Sequence, residues 1–167
     1  MPGPGDAITE TVSDADHAMM DRAIALAQAA GENGEVPIGA VVYETATGRV
    51  LAEGANTRER AKDPCGHAEL IAIRAAASAI GDWRLNHCSL AVTLEPCPMC
   101  AGAIVNARLG RVLYGADDPK AGAVRSLFTL LEDGRLNHRC LVIPGVRRDA
   151  CAALLTGFFR SLRERRD

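Results

Sequence analysis

Two short segments carry the residue types able to do chemistry: His67-Ala68-Glu69 and Pro96-Cys97-Pro98-Met99-Cys100. One imidazole and two thiols make a three-donor zinc set. Structural zinc sites close all four positions with protein atoms, whereas a three-donor site leaves one for water or substrate. The 167-residue chain holds no second C-x-x-C, so a four-cysteine site is excluded. Alone, a His-x-Glu reads as a helix cap and a C-x-x-C as a redox pair or half of a structural site. Together they place a carboxylate beside an open metal position, which points to hydrolysis by activated water.

Zinc lowers the pKa of bound water to roughly 7 in favourable sites, giving a zinc-bound hydroxide as nucleophile. Two thiolates reduce the metal's net charge, so this centre needs help. Glu69 supplies it by taking the water's proton and passing protons to a ring nitrogen and a leaving amine, a role typically worth about 10²–10⁴-fold. Cys65 lies two residues before His67 but ahead of the expected helix start, and it is read as outside the ligand set. With Cys88, Cys140 and Cys151 it reads as a small hydrophobe rather than half of a disulfide.

The elements that position these residues follow from periodicity and punctuation. Helices are expected over Asp16–Ala30, His67–Ile80, Pro98–Arg108, Ala123–Leu131 and Arg147–Arg165. Strands are expected over Val36–Tyr43, Arg49–Glu53, Ser89–Leu94, Arg111–Tyr114 and Arg139–Ile143, with a polar loop over Asn56–Gly66. Two strands joined by a turn, then strands alternating with helices, mean an α/β protein with a central mixed five-stranded sheet covered by helices. Residues 1–13 read as a flexible leader and 14–167 as a single domain. Both ligand segments open helices, so two positive helix ends face the site and favour thiolates.

Apolar residues make up 48% of the chain and charged residues 24%, as in ordinary globular domains. No apolar run is long enough to span a bilayer, so no membrane association is expected and the protein reads as cytoplasmic. A net charge of −2 means that any nucleic acid must be held by a local patch. Arg160, Arg163, Arg165 and Arg166 offer one, although cations are also favourable at a helix C-terminus.

The spacing H-x-E followed by P-C-x-x-C is that of zinc-dependent nucleobase deaminases, and the chain resembles the cytidine deaminase-like superfamily. Within it, the chain is similar to the bacterial tRNA-specific adenosine deaminases over about Glu35 to Arg160. The segments that carry this likeness are Glu35 to Val41, Asn56, Thr93-Leu94-Glu95 before the cysteines, Gly115 to Ala123, Leu136-Asn137-His138-Arg139 and Phe158-Phe159-Arg160. The resemblance implies a three-layer α-β-α fold, one Zn²⁺ per subunit held by His67, Cys97 and Cys100, and Glu69 as proton shuttle. It implies a homodimer that converts the wobble adenosine of a tRNA anticodon stem-loop to inosine. It implies Asn56 and the Ala68 N–H as contacts to the base, and Asp118, Lys120, Asn137, His138 and Phe159 as contacts to the RNA. The chain departs from the usual pattern at Cys65-Gly66, Arg125 and Ala150. Gly66 and Arg125 bear on the substrate entrance. A deaminase of free guanine, cytosine or a nucleoside would use the same chemistry. A zinc-stabilised scaffold without catalysis would have no use for Glu69.

Overall fold

The computed structural model describes residues 11–167. Five strands, β1 (Gly39–Glu44), β2 (Val50–Ala55), β3 (Cys88–Leu94), β4 (Arg111–Ala116) and β5 (Leu141–Ile143), form one sheet in the order β2-β1-β3-β4-β5. β1 runs antiparallel to both β2 and β3, while β3, β4 and β5 run parallel. The mixed five-stranded sheet expected from the sequence is the one observed.

β1, β3 and β4 are buried on both faces, so their side chains alternate between two cores. Ala40, Val42, Leu90, Val92, Val112 and Tyr114 face α3 (Ala68–Ile80) and α4 (Pro98–Asn106). Val41, Tyr43, Ala91 and Leu113 face α1 (Asp14–Glu32) and α5 (Arg148–Glu164). The result is three layers. α3 shows its alanine stripe Ala68, Ala72 and Ala76 to the sheet, which lets it lie close to β2. At Gly54 on β2 a Cβ would sit 2.3 Å from the Ala68 carbonyl oxygen, so only glycine permits this approach at the end of α3 that carries the site.

Three details depart from the expected elements. Ala123–Leu131 is not a helix; it is a looped segment closed by the 3₁₀ turn Leu130–Glu132. The polar loop before His67 contains a short helix, α2 (Arg58–Ala61). Of the leader 1–13, residues 1–10 lie outside the described residues, Val12 packs on the α1/α5 core, and Ser13 caps α1 through a reciprocal capping box with Asp16.

Candidate active site

His67 and Cys97 are the N-cap residues of α3 and α4. Both have extended backbone, and neither side chain caps its own helix. The imidazole and the thiol are therefore free to point outward. Pro98 at the first turn of α4 sacrifices no hydrogen bond. Cys100 follows one turn later on the same face.

Cys97 Sγ lies 3.6 Å and Cys100 Sγ 3.5 Å from His67 Nδ1, and the three candidate ligand atoms all lie within 4.8 Å of one another. A tetrahedral zinc ion with ordinary Zn–N and Zn–S bonds would hold its nitrogen and sulfur ligands about 3.6 Å apart, so the spacing fits. The electrostatics agree. Hydrogen bonding from the Cys100 thiol, then from His67, pulls Cys97 down to about 4 against the opposing effect of burial. Cys100 is pushed well up by its hydrogen bond with Cys97 and by burial. The hydrogen bond with Cys97 raises the His67 imidazole. Two thiols this close cannot both ionise unless a cation joins them, and a divalent metal is that cation.

Glu69 sits on the first turn of α3, only 4% exposed. Burial pushes its carboxyl up to about 7, against the lowering pull of its own backbone N–H and of the imidazole. A carboxyl poised near neutrality can accept and return a proton. The Ala68 N–H, also in the first turn, has no acceptor within the helix.

His67, Ala68, Glu69 and Cys97 line a cavity of about 200 Å³ together with Val36, Ile38, Asn56, Leu94 and Glu95, while Cys100 is fully buried. That is below the roughly 300–1,000 Å³ of clefts that bury drug-sized ligands, and it suits one flat ring. Asn56 Oδ1 accepts the Arg58 N–H at 3.1 Å and Nδ2 donates to the Val36 carbonyl at 3.3 Å. One donor hydrogen and one lone pair remain for a ligand. A wider groove adjoins the cavity and shares Val36, Arg58, Leu94 and Asp118 with it; Asp117, Pro119, Lys120, Leu155 and Phe159 complete its lining. Asp118 Oδ1 also accepts the N–H groups of Lys120 and Ala121, which shapes the loop that carries Lys120.

The structure thus brings His67, Ala68, Glu69, Cys97, Cys100 and Asn56 together, with Asp118, Lys120 and Phe159 on the adjoining groove. Phe158 is half-buried, and its ring meets Phe159 edge-on at 5.5 Å, leaving Phe159 43% exposed. Asn137 and His138 line neither cavity nor groove. Asn137 is exposed, and His138 Nε2 lies 2.6 Å from the Leu109 carbonyl beyond the C-terminal end of α4. Sequence reasoning assigned no role to Glu35, Arg58 or Glu95. Arg58 lines both spaces, Glu95 is a buried carboxylate on the wall of the cavity, and Glu35 is a buried carboxylate behind the α2 rim. Glu95 had a signal: an acidic residue closing an apolar strand directly before a ligand segment.

Comparison with known proteins supports the chemistry. The family model of MafB19-like deaminases matches residues 14–163. A tRNA-specific adenosine deaminase from Bacillus subtilis is 45% identical over 151 residues, covering 90% of this chain and 92% of that protein. One from Haemophilus influenzae is 43% identical, covering 91% and 87%. A solved structure from work on A-to-I editing by tRNA:A34 deaminases at the wobble position of transfer RNA is 43% identical, with a TM-score of 0.78, covering 83% of this chain and 99% of that one.

Proposed function

The chain belongs to the tRNA-specific adenosine deaminases, within the MafB19-like deaminase family, and we propose that it hydrolyses the wobble adenosine of a tRNA anticodon to inosine, releasing ammonia. One observation carries the reading. His67 and Cys97 of the His67–Cys97–Cys100 cluster share with the buried Glu69 a cavity sized for one ring, and that cavity adjoins a groove lined by Lys120 and Phe159. A flipped-out base enters the first while its neighbours lie along the second.

One zinc ion per subunit, held by His67, Cys97 and Cys100, supplies the Lewis acidity that makes water an adequate nucleophile at neutral pH. The chain's own residues do the rest. Asn56 and the Ala68 N–H orient the base against the apolar walls Val36, Ile38 and Leu94. Glu69 accepts a proton from the attacking water and delivers one to ring nitrogen N1. It then takes the remaining proton from the new C6 hydroxyl and delivers it to the exocyclic amine, which leaves as ammonia as the C6–N bond breaks and the C6 carbonyl forms. Burial excludes bulk water and keeps the Glu69 carboxyl near the pKa that two-way transfer needs. Asp118 and Lys120 contact the anticodon backbone, Phe159 stacks on a neighbouring base, and Asn137 and His138 approach the RNA outside the groove. Residues 14–167 act as one domain. The enzyme works as a homodimer in the cytoplasm, where a thiolate pair stays reduced. Among the described residues no helix is long and apolar enough to cross a membrane.

The test is deamination by zinc-loaded protein. One set of reactions holds an anticodon stem-loop with adenosine at the wobble position, and the other holds free adenosine, adenine, guanine, cytosine and cytidine. Inosine in the stem-loop is the expected result. Ammonia from a free base or nucleoside alone would transfer the same chemistry to a small-molecule substrate.

A further inference from the structure

Each rim of the site is tied to the protein by one buried glutamate that forms no salt bridge among the described residues. Glu35, 1% exposed, accepts the N–H of Glu59 at 3.1 Å and of Arg60 at 2.6 Å, which fixes the α2 loop that carries Asn56 and Arg58. Glu95, 2% exposed, gathers the opposite rim. Its Oε1 accepts the N–H groups of Val124, Arg125 and Ser126 at 3.2, 2.7 and 2.8 Å. Its Oε2 accepts the Asp118 N–H at 2.9 Å and the Ser126 hydroxyl at 2.5 Å. These donors hold the carboxyl below its ordinary value although burial pushes the other way. Gly122 completes the fit, since a Cβ there would lie 2.2 Å from Glu95 Oε2.

Five donors from one loop exceed what anchoring a chain requires, and the loop they shape carries Asp118 and Lys120 on the groove wall. Glu95 itself directly precedes the Pro96-Cys97 ligand turn. The same short segment therefore sets the metal ligand on one side and the RNA rim on the other. We propose that Glu95 is a positioning residue: it fixes the Asp118–Ser126 rim at a set distance from the reactive centre, so that the groove accepts the RNA in register with the base cavity. Glu35 does the same for the opposite rim. This inference rests on the RNA-deaminase reading of the site.

The experiment compares full-length, zinc-loaded wild type with Glu95→Gln and, as an independent push on the same contact, Gly122→Ala. Metal content, binding of the anticodon stem-loop, single-turnover inosine formation at saturating stem-loop and hydrogen–deuterium exchange are measured. A displaced rim is expected to weaken stem-loop binding about tenfold in both variants. The metal content should stay near wild type, and faster exchange should be confined to residues 117–126. The exchange readout needs no substrate. If wild type fails to deaminate the stem-loop, the substrate reading falls, while localised exchange still reports the anchor. Unchanged binding and exchange would overturn the proposal, and so would a lowered rate with intact binding. Failure of both variants to fold would also overturn it, by assigning Glu95 to stability alone.

Discussion

At Glu69, Cys97 and His67 the local chemistry fixes what each substitution must do. Glu69 is buried and lies beside the ligand cluster without being one of its three members. Glu69→Ala should retain zinc and the fold while cutting inosine formation by at least the roughly 10²–10⁴-fold that general acid–base catalysis contributes; activity within tenfold of wild type would remove Glu69 from the proton path. Cys97→Ala removes one of three ligands and leaves Cys100 without its thiolate neighbour, so elemental analysis should find the zinc lost. Full occupancy would break the ligand assignment. These residues were legible in the sequence because their types are chemically specific and their spacing is short. Asp118, Lys120 and Phe159 were visible only through family likeness, since a charged or aromatic residue in a loop or near a helix end has no local signature of RNA contact. Arg58 had none at all. Its place on the rim depends on Glu35, more than twenty residues earlier, turning α2 toward the cavity.

Among the elements, those with a period of their own were readable, and the segment built by a distant side chain was not. Ala123–Leu131 has the composition of a helix. Yet the N–H groups of Val124, Arg125 and Ser126 are taken by a carboxylate about thirty residues away, and the chain wraps around that oxygen instead of propagating a helix. α1 shows the converse, a periodic helix locked by a network no local pattern reveals. Asp16 accepts the Ser13 N–H, the Tyr43 hydroxyl at 2.7 Å and both terminal nitrogens of Arg111, which ties α1 to β1 and β4. Burial alone would raise the Asp16 carboxyl, but the Arg111 hydrogen bonds, the Ser13 N–H and the Tyr43 hydroxyl together hold it at about 2, below its ordinary 3.8. A depressed folded-state pKa contributes stability that is complete above the unfolded value and is lost as pH falls through the folded one. The pair should therefore add roughly 2 kcal/mol above about pH 4 and lose it by about pH 2. Asp16→Asn should abolish that acid dependence in denaturant melts. It should also cost about 3–5 kcal/mol at neutral pH, because Arg111 would be left buried and unpaired; an unchanged acid limb would assign the loss to other carboxylates.

For the whole molecule the question is how a chain of net charge −2 holds a polyanion. The answer lies in where its cations stand. Lys120 lines the groove beside Phe159 near the end of α5. On that helix Phe159 and Arg163 fall at i and i+4, one face continuing outward from the groove, and Arg166 follows in the turn beyond the C-cap Arg165. α5 packs on the sheet through its first half, and its C-terminal end is mostly exposed. The stem of the RNA can follow that face while its loop delivers the base to the cavity. Arg163→Ala with Arg166→Ala should then weaken stem-loop binding and reduce the slope of log affinity against log salt by about one per arginine removed. Turnover at saturating RNA should not change, because neither residue reaches the cavity. An unaltered salt slope would mean that the arginines only favour the negative end of their helix, and that the RNA leaves the groove in another direction, past Arg58 and α2.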